Sequence, residues 1–168
     1  MSNRTDLELE QFLPYRLSVL SNNISQAIAR DYEERFRLTV TEWRVIAVLA
    51  QFEGISANEV AKRTAMDKVA VSRAVARLTE TGRIKRSLAD RDKRYSILKL
   101  TASGKKIYRE IAPLALAHER SLLTYLSNEE RHWLNRILDK LWQSEIGACA
   151  EPSFGIHKRG SDIDTRHA

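Results

Sequence analysis

The sequence predicts a mainly α-helical fold with a single small β-hairpin. Apolar residues recur at steps of three and four along most of the 168 residues, a spacing typical of helices that bury one face. The period changes to two between residues 83 and 100, which indicates two short strands. Three Ser/Thr-x-x-Glu segments, starting at Thr39, Ser56 and Ser127, have the spacing of helix capping boxes.

The first predicted helix spans residues 13–36. Its apolar residues form a narrow stripe from Leu13 to Tyr32, closer to a coiled-coil seam than to the broad face of a core helix. Pro14 suits the first turn, where its missing N–H costs nothing. A narrow stripe favours packing on a partner helix, either in the same chain or in a second copy. Residues 1–12 are polar and are expected to form a flexible N-terminus.

Three further helices follow in close succession. The second is predicted from the Thr39 cap to about Gln51, and the third over residues 57–64. After a short turn, the fourth helix starts at the Asp67 cap and stops at Gly82. Two short helices joined by a tight turn, the second with a cationic outer face, are the sequence form of a helix-turn-helix.

The fourth helix has two distinct faces. Its inner face is apolar and consists of Val71, Ala74, Val75 and Leu78. Its outer face carries cations, a hydroxyl and small apolar groups: Lys68, Val69, Ser72, Arg73, Ala76 and Arg77. Such a surface suits phosphates and base edges, although a merely solvated basic face is the alternative interpretation.

The positive charge of the chain is concentrated around this helix. The formal net charge is +6, from 28 Lys and Arg against 22 Asp and Glu. Residues 55–101 hold twelve of these cations and five of the anions, a net +7, so the remainder carries −1. A localised excess of this kind is the electrostatic footprint of a module that binds a polyanion.

A β-hairpin is predicted directly after the fourth helix. Residues 83–88 and 95–100 form its strands, and a charged tip over residues 89–94 joins them. A hairpin that follows a helix-turn-helix is a wing. Residues 39–100 are therefore predicted to form a winged helix-turn-helix.

Two helices are predicted beyond the wing. The first starts at the Thr101 cap and runs to about Leu126, with Pro113 expected to bend or break it. The last spans residues 127–146 and ends at Gly147, and residues 147–168 are expected to form a disordered tail. The helices over 13–36 and 101–146 carry more apolar surface than one small module covers. They are therefore expected to be dimerisation helices.

Composition narrows the class of protein. The single cysteine, Cys149, excludes an intramolecular disulfide. No run of 18 apolar residues and no signal-peptide core occurs, so we expect a cytoplasmic protein without membrane contact. An enzyme is not expected, because the sequence lacks a phosphate-binding glycine loop, a nucleophile–base pair and paired catalytic carboxylates.

Three segments resemble the MarR (multiple antibiotic resistance regulator) family of transcription factors. Residues 41–49, which include Trp43, are similar to the second helix of the family, and residues 71–84 to its recognition helix and exit. Asp92 and Arg94, followed by Leu-Lys-Leu-Thr at 98–101, match the wing signature. The resemblance covers roughly residues 13–146. It implies a homodimer that binds a pseudo-palindromic operator, usually represses, and releases DNA when a small ligand binds.

The resemblance places the fourth helix in the major groove of DNA. Ser72, Arg73 and Val69 are then expected at base edges, with Arg73 suited to guanine O6 and N7; the alternative is that Arg73 and Arg77 contact phosphates only. Lys68 and Ser56 are expected at phosphates. At the wing tip, Arg94 is expected in the minor groove, Asp92 is expected to hold Arg94, and Arg91 and Lys93 are expected at the backbone. A solvated charged turn is the alternative for this tip.

The family places its effector between the dimerisation helices and the winged module. Eight residues are candidates for lining that space: Tyr15, Arg16, Val19, Asn23, Trp43, Arg44, Ala47 and Tyr108. Aromatic walls with an arginine suit an aromatic carboxylate or a related acyl thioester. The alternatives are that Trp43 belongs to the core and that Arg44 pairs with a carboxylate.

Other forms of sensing are less favoured. Cys149 lies outside any cationic helix end and is expected to be an inert thiol. His118, Glu119 and His132 lack the spacing that would place two ligands on one helical face, so neither a metal nor another cofactor is expected. A DNA-binding protein with an architectural role and no ligand response remains the alternative function.

Overall fold

The computed structural model describes residues 7–88 and 96–144. It contains six helices and one antiparallel strand pair in these ranges, and the predicted mainly helical fold with a β-wing is confirmed. In chain order the elements are α1 (Leu13–Phe36), α2 (Val40–Gln51), α3 (Ala57–Thr64), α4 (Lys68–Glu80), β1 (Ile84–Leu88), β2 (Ser96–Leu100), α5 (Ala102–Leu123) and α6 (Asn128–Trp142).

Local capping accounts for most of the helix starts. At Thr39 the predicted capping box is complete, since the Glu42 amide donates to the Thr39 hydroxyl and the Glu42 carboxylate accepts from the Thr39 amide. Ser127 forms the same reciprocal pair with Glu130, which holds the pKa of that carboxyl below its ordinary value. At Ser56 the box forms only in part, because the Glu59 carboxylate pairs with Arg63 instead.

The core lies where α2, α4, α5 and the strand pair meet. Its central residues on α4 are the four that the helical period predicts, and all are buried: Val71, Ala74, Val75 and Leu78. Ile84 and Leu98, one on each strand, are 2% and 1% exposed and close the core on the hairpin side. This packing fixes which face of α4 is turned outward.

Backbone hydrogen bonds join the second strand of the hairpin to the segment between α2 and α3. In the register of the hairpin, Ile84 faces Leu100 and Leu88 faces Ser96. Leu98 also exchanges backbone hydrogen bonds with the segment between α2 and α3, where Gly54 donates to Leu98 and Leu98 donates to Ile55. The strand periodicity did not predict this pairing of Ile55 with Leu98, because an isolated bridge leaves no alternating pattern in the sequence.

Of the two outcomes predicted at Pro113, a bend or a break, the break is wrong. The helix α5 continues through Pro113 to Leu123. Proline removes one backbone donor from the helix, but this loss alone does not end α5, since Ile107 and Ile111 on the preceding turns are buried and anchor the helix. The helix ends three residues before the predicted Leu126.

Candidate nucleic-acid interface

The outward face of α4 is the centre of the candidate interface. The side chains of Lys68, Val69, Ser72, Arg73 and Arg77 are all exposed, while the opposite face is buried. On an α-helix, residues three and four apart are neighbours, so Val69, Ser72 and Arg73 form one continuous patch. The exposed face therefore presents the residue types that the sequence predicted for it.

Both ends of α4 are capped by hydrogen bonds, to the Asp67 side chain at the start and between backbone groups at the end. At the start, Asp67 Oδ1 accepts from the amides of Val69 and Ala70 at 2.9 and 3.0 Å. At the end, Gly82 has a φ of +66° and the Arg83 amide donates to the carbonyl of Leu78, the bond pattern of a Schellman motif. These caps hold the outward side chains on a helix with defined ends.

Arg77 makes a contact within the protein that its spacing in the sequence did not indicate. Its Nε lies 3.2 Å from Oε1 of Glu42, a carboxylate that is only 2% exposed. The side chain of Arg77 itself remains 60% exposed. Arg77 thus connects α4 to the start of α2 while it stays on the surface.

The shallow cleft around this ion pair has a volume of about 310 Å³. It lies between α2 and α4 and includes Arg73 as well as Arg77. Two of the predicted contact residues on α4 are therefore brought to one cleft, next to the buried carboxylate.

Ser56 occupies the start of α3. Its hydroxyl oxygen accepts a hydrogen bond from the Glu59 amide at 3.2 Å. Thus Ser56 caps the helix. The amides of the first turn ahead of Glu59 are the groups left for the predicted phosphate contact.

The predicted residues of the wing tip, Arg91, Asp92, Lys93 and Arg94, lie outside the described residues. The described part of the hairpin adds cations that the sequence reasoning did not single out. Lys85 on β1 lies directly opposite Lys99 on β2, and Arg86 on β1 is exposed. Strand alternation was the available signal for Lys85, since this side chain points away from the face of the buried Ile84. It does not account for Arg86, which lies on the same face as Ile84 and is exposed nonetheless.

The candidate effector residues fall into two groups. Tyr15, Arg16, Val19 and Asn23 line one open hollow of about 540 Å³ on the first half of α1, together with Glu10, Leu13, Leu17 and Leu20. Trp43, Arg44, Ala47 and Tyr108 are partly buried residues of α2 and α5.

The second group is engaged in packing. The ring of Trp43 lies 5.9 Å from the ring of Tyr32 and 5.9 Å from that of Tyr108, with which it is stacked. Arg44 donates to the Ser25 hydroxyl at 2.9 Å. The three aromatic rings join α1, α2 and α5.

The residues considered for metal sensing do not form a metal-binding cluster among the described residues. His118 Nε2 lies 2.6 Å from Asp31 Oδ2, which links α5 to α1. Within residues 7–88 and 96–144, no three His, Cys, Asp or Glu side chains cluster as a metal site would require. Cys149 lies outside the described residues, and no described helix is long and apolar enough to cross a membrane.

A helix-turn-helix made of α3 and α4, followed directly by the β1–β2 hairpin, defines a winged helix-turn-helix protein. Residues 38–94 match the sequence model of the MarR family. Over this segment the chain is similar to MarR-type winged helix-turn-helix proteins.

A transcriptional regulator is similar to part of this chain. The HTH-type transcriptional regulator BilQ of Clostridium symbiosum (strain WAL-14163) is 32% identical over 92 residues, which are 55% of this chain and 64% of BilQ. The chain thus matches less than two thirds of that relative's length.

Solved structures extend the likeness beyond the matched segment. A MarR/EmrR family transcriptional regulator from Acinetobacter sp. ADP1 is 28% identical with a TM-score of 0.72, over 80% of this chain and 95% of that one. A mutant of MarR from E. coli, in complex with operator DNA, is 25% identical with a TM-score of 0.68, over 82% of this chain and 99% of that one.

Proposed function

We propose that the chain is a homodimeric, DNA-binding regulator of transcription. In this proposal it represses from a pseudo-palindromic operator and leaves the operator when a small ligand binds. The observation that carries the proposal is the outward face of α4, where Lys68, Arg73 and Arg77 are exposed on a helix whose back is packed into the core. The MarR relative bound to operator DNA supports the same use of the fold.

In the proposed complex, α4 lies in the major groove of B-DNA. The groove admits an α-helix, and Ser72 and Arg73 are exposed on the outward face of α4. Arg73 suits a bidentate contact with guanine O6 and N7. Lys68, Arg77 and the start of α3 after Ser56 are assigned to phosphates. Arg94 is assigned to the adjacent minor groove, Arg91 and Lys93 to the DNA backbone, and Asp92 to holding Arg94.

A second copy of the chain is proposed to cover the apolar residues at both ends of the described chain. Every described residue of α6 from Trp133 to Trp142 is exposed, although six are large and apolar: Trp133, Leu134, Ile137, Leu138, Leu141 and Trp142. The first half of α1 exposes Leu13, Leu17, Val19 and Leu20. Contiguous exposed apolar surface of this kind marks an interface. Two-fold symmetry then places two copies of α4 on half-sites about 10 bp apart.

The hollow on α1 is the proposed effector site, and the second copy that packs on α1 would form its outer wall. Tyr15 provides an aromatic wall and Arg16 a guanidinium, which together suit an aromatic carboxylate or its acyl thioester. Ligand binding beside α1 would alter the spacing of the two α4 helices through the dimer. A thermal-shift screen of aromatic acids and their coenzyme A esters, with Arg16→Gln as the matched variant, tests this site. No shift for any compound, or an equal shift for the variant, would contradict it.

Selection from a random duplex library tests the DNA-binding function. We expect the purified protein to recover a palindromic consensus and to bind it in an anisotropy titration. Since two charged blocks meet the duplex, the affinity should fall by orders of magnitude between about 50 and 200 mM salt.

An architectural protein gives a different result in the same selection. It would bind with comparable salt dependence but yield no consensus, and no effector would change its affinity. Absence of any salt-sensitive binding to duplex DNA would overturn the proposal as a whole.

A further inference from the structure

Val69 is an apolar residue at the centre of the polar outward face of α4. Its side chain is 56% exposed, whereas Val71, two residues later, is 1% exposed. The residues beside it are Lys68, Ser72 and Arg73. Local stability does not explain a valine here, because β-branched residues have a lower helix propensity than alanine. Core packing does not explain it either, because Val69 lies on the face opposite to the core.

The position of Val69 is well defined. Its amide donates to Asp67 Oδ1 at 2.9 Å, so the residue belongs to the fixed first turn of α4. A valine on a helix has one strongly preferred χ1 rotamer. The side chain therefore has one preferred orientation, and its two methyl groups lie next to the hydroxyl of Ser72 and the side chain of Arg73.

We propose that Val69 selects a pyrimidine that carries a 5-methyl group. This inference rests on the DNA-binding function proposed above. In the major groove the apolar group that a base offers is the C5-methyl of thymine, and 5-methylcytosine carries the same group. Val69 contacts this methyl, while the neighbouring Ser72 and Arg73 use the hydrogen-bonding groups of adjacent bases.

The helix geometry also fixes where this base lies. Val69 and Arg73 are four residues apart, which is about 6 Å along the helix axis at 1.5 Å per residue. Base pairs are about 3.4 Å apart. The selected pyrimidine therefore lies one to two base pairs from the base that Arg73 contacts.

The test uses the duplex recovered by the full-length protein from a random library. Each thymine is replaced in turn by deoxyuridine, which removes only the methyl group, and affinities are measured by anisotropy for wild type and Val69→Ala. We expect one thymine in each half-site whose replacement weakens wild-type binding about fourfold. This is the change in affinity that corresponds to burying one methyl-sized apolar group. In Val69→Ala, which lacks both methyl groups of the valine, the difference in affinity between the thymine and uracil duplexes should fall well below fourfold.

Lys68→Ala is the matched control at the adjacent position. It should weaken binding to both duplexes alike and leave the fourfold ratio unchanged. Exchanging the selected T·A pair for C·G or for 5-methyl-C·G separates the two sources of the methyl group: methylation should restore affinity in wild type and much less so in Val69→Ala.

The outcomes distinguish the two proposals. If no duplex is selected and none is bound, the DNA-binding function fails and the inference with it. If the selected duplex binds but every uracil replacement is silent, or if the fourfold loss persists in Val69→Ala, the inference is overturned and DNA binding stands. Far-UV circular dichroism of Val69→Ala verifies the helical fold, which the exchange of an exposed valine for alanine should preserve.

Discussion

Glu42 Oε1 and Arg77 Nε lie 3.2 Å apart and join the first turn of α2 to the last turns of α4. The other carboxylate oxygen of Glu42 accepts from the amide and the hydroxyl of Thr39 at 2.7 and 3.0 Å. One carboxylate thus caps α2 and holds a cation of α4. This relationship connects the orientation of the proposed recognition helix to the start of the helix behind it.

Arg77→Met should destabilise the fold, because it leaves the buried Glu42 carboxylate without its cation. A buried charged acceptor that loses its partner costs about 1–3 kcal/mol; the value is below that of a fully buried pair, since Arg77 is 60% exposed. The free energy of unfolding in urea, followed by circular dichroism, measures the change.

Arg73→Met is the control for Arg77→Met. Arg73 lies one helical turn earlier on the same exposed face, so its removal should weaken DNA binding and leave the urea midpoint within error of wild type. Equal stability of the two variants would show that the Glu42–Arg77 ion pair contributes nothing to the fold.

Gly104→Ala should destabilise the junction between the wing and α5. A Cβ atom at this position would lie 2.1 Å from the carbonyl oxygen of Arg83 and 3.1 Å from its carbonyl carbon. Both are backbone atoms next to the Gly82 turn, to which the Thr101 hydroxyl also donates a hydrogen bond. Overpacking of this kind costs about 1–3 kcal/mol, measured as a loss of urea stability.

Ser103→Ala is the matched substitution for Gly104→Ala, since residue 103 is exposed in the same first turn of α5. It should change stability by less than about 0.5 kcal/mol. If Gly104→Ala is equally mild, the close approach of α5 to Arg83 is not required for the fold.

Tyr32→Phe should reduce the loss in the free energy of unfolding that wild type shows as the pH rises above 10. Burial raises the pKa of Tyr32 from 10.0 to about 12, with a further contribution from Glu33 that Arg44 opposes. Because the folded-state pKa is raised, the neutral Tyr32 hydroxyl contributes its full stabilisation below the pKa of the unfolded state. This contribution is lost as the pH rises through the pKa of the folded state. Wild type should therefore lose about 2–3 kcal/mol between pH 10 and 12 that Tyr32→Phe retains.

Urea midpoints measured from pH 8.5 upward test the Tyr32 prediction. Tyr125→Phe, at a position that is 86% exposed, should follow the wild-type profile. Parallel profiles for wild type and Tyr32→Phe would contradict the prediction that burial raises the pKa of the Tyr32 hydroxyl in the folded state.

Local patterns in the sequence predicted most of the elements because their causes are local. The caps at Thr39 and Ser127 act within three residues, and the faces of α4 follow from its period. The Glu42–Arg77 ion pair was not predicted, since it joins residues 35 positions apart in the sequence. The bridge from Ile55 to Leu98 was missed for the same reason: it depends on how distant segments pack.

Ile137→Glu should dissociate the proposed homodimer. Ile137 is 52% exposed on α6, and in a two-fold symmetric interface each substitution appears twice. Burying a charge without a partner costs several kcal/mol, so the dimer Kd should rise by at least about 100-fold, or roughly 3 kcal/mol. Light scattering after size-exclusion chromatography, over a range of protein concentrations, gives the oligomeric state.

Asp139→Lys serves as the control for Ile137→Glu, because Asp139 lies on the polar side of the same helix. This variant should remain dimeric although its charge is reversed. A monomeric Ile137→Glu should still show helical circular dichroism, since α6 has no buried residue in the isolated chain. It should bind DNA more weakly, because one α4 helix then meets one half-site. If Ile137→Glu stays dimeric and binds DNA as wild type does, α6 is not the dimer interface, and its exposed apolar stripe requires another partner.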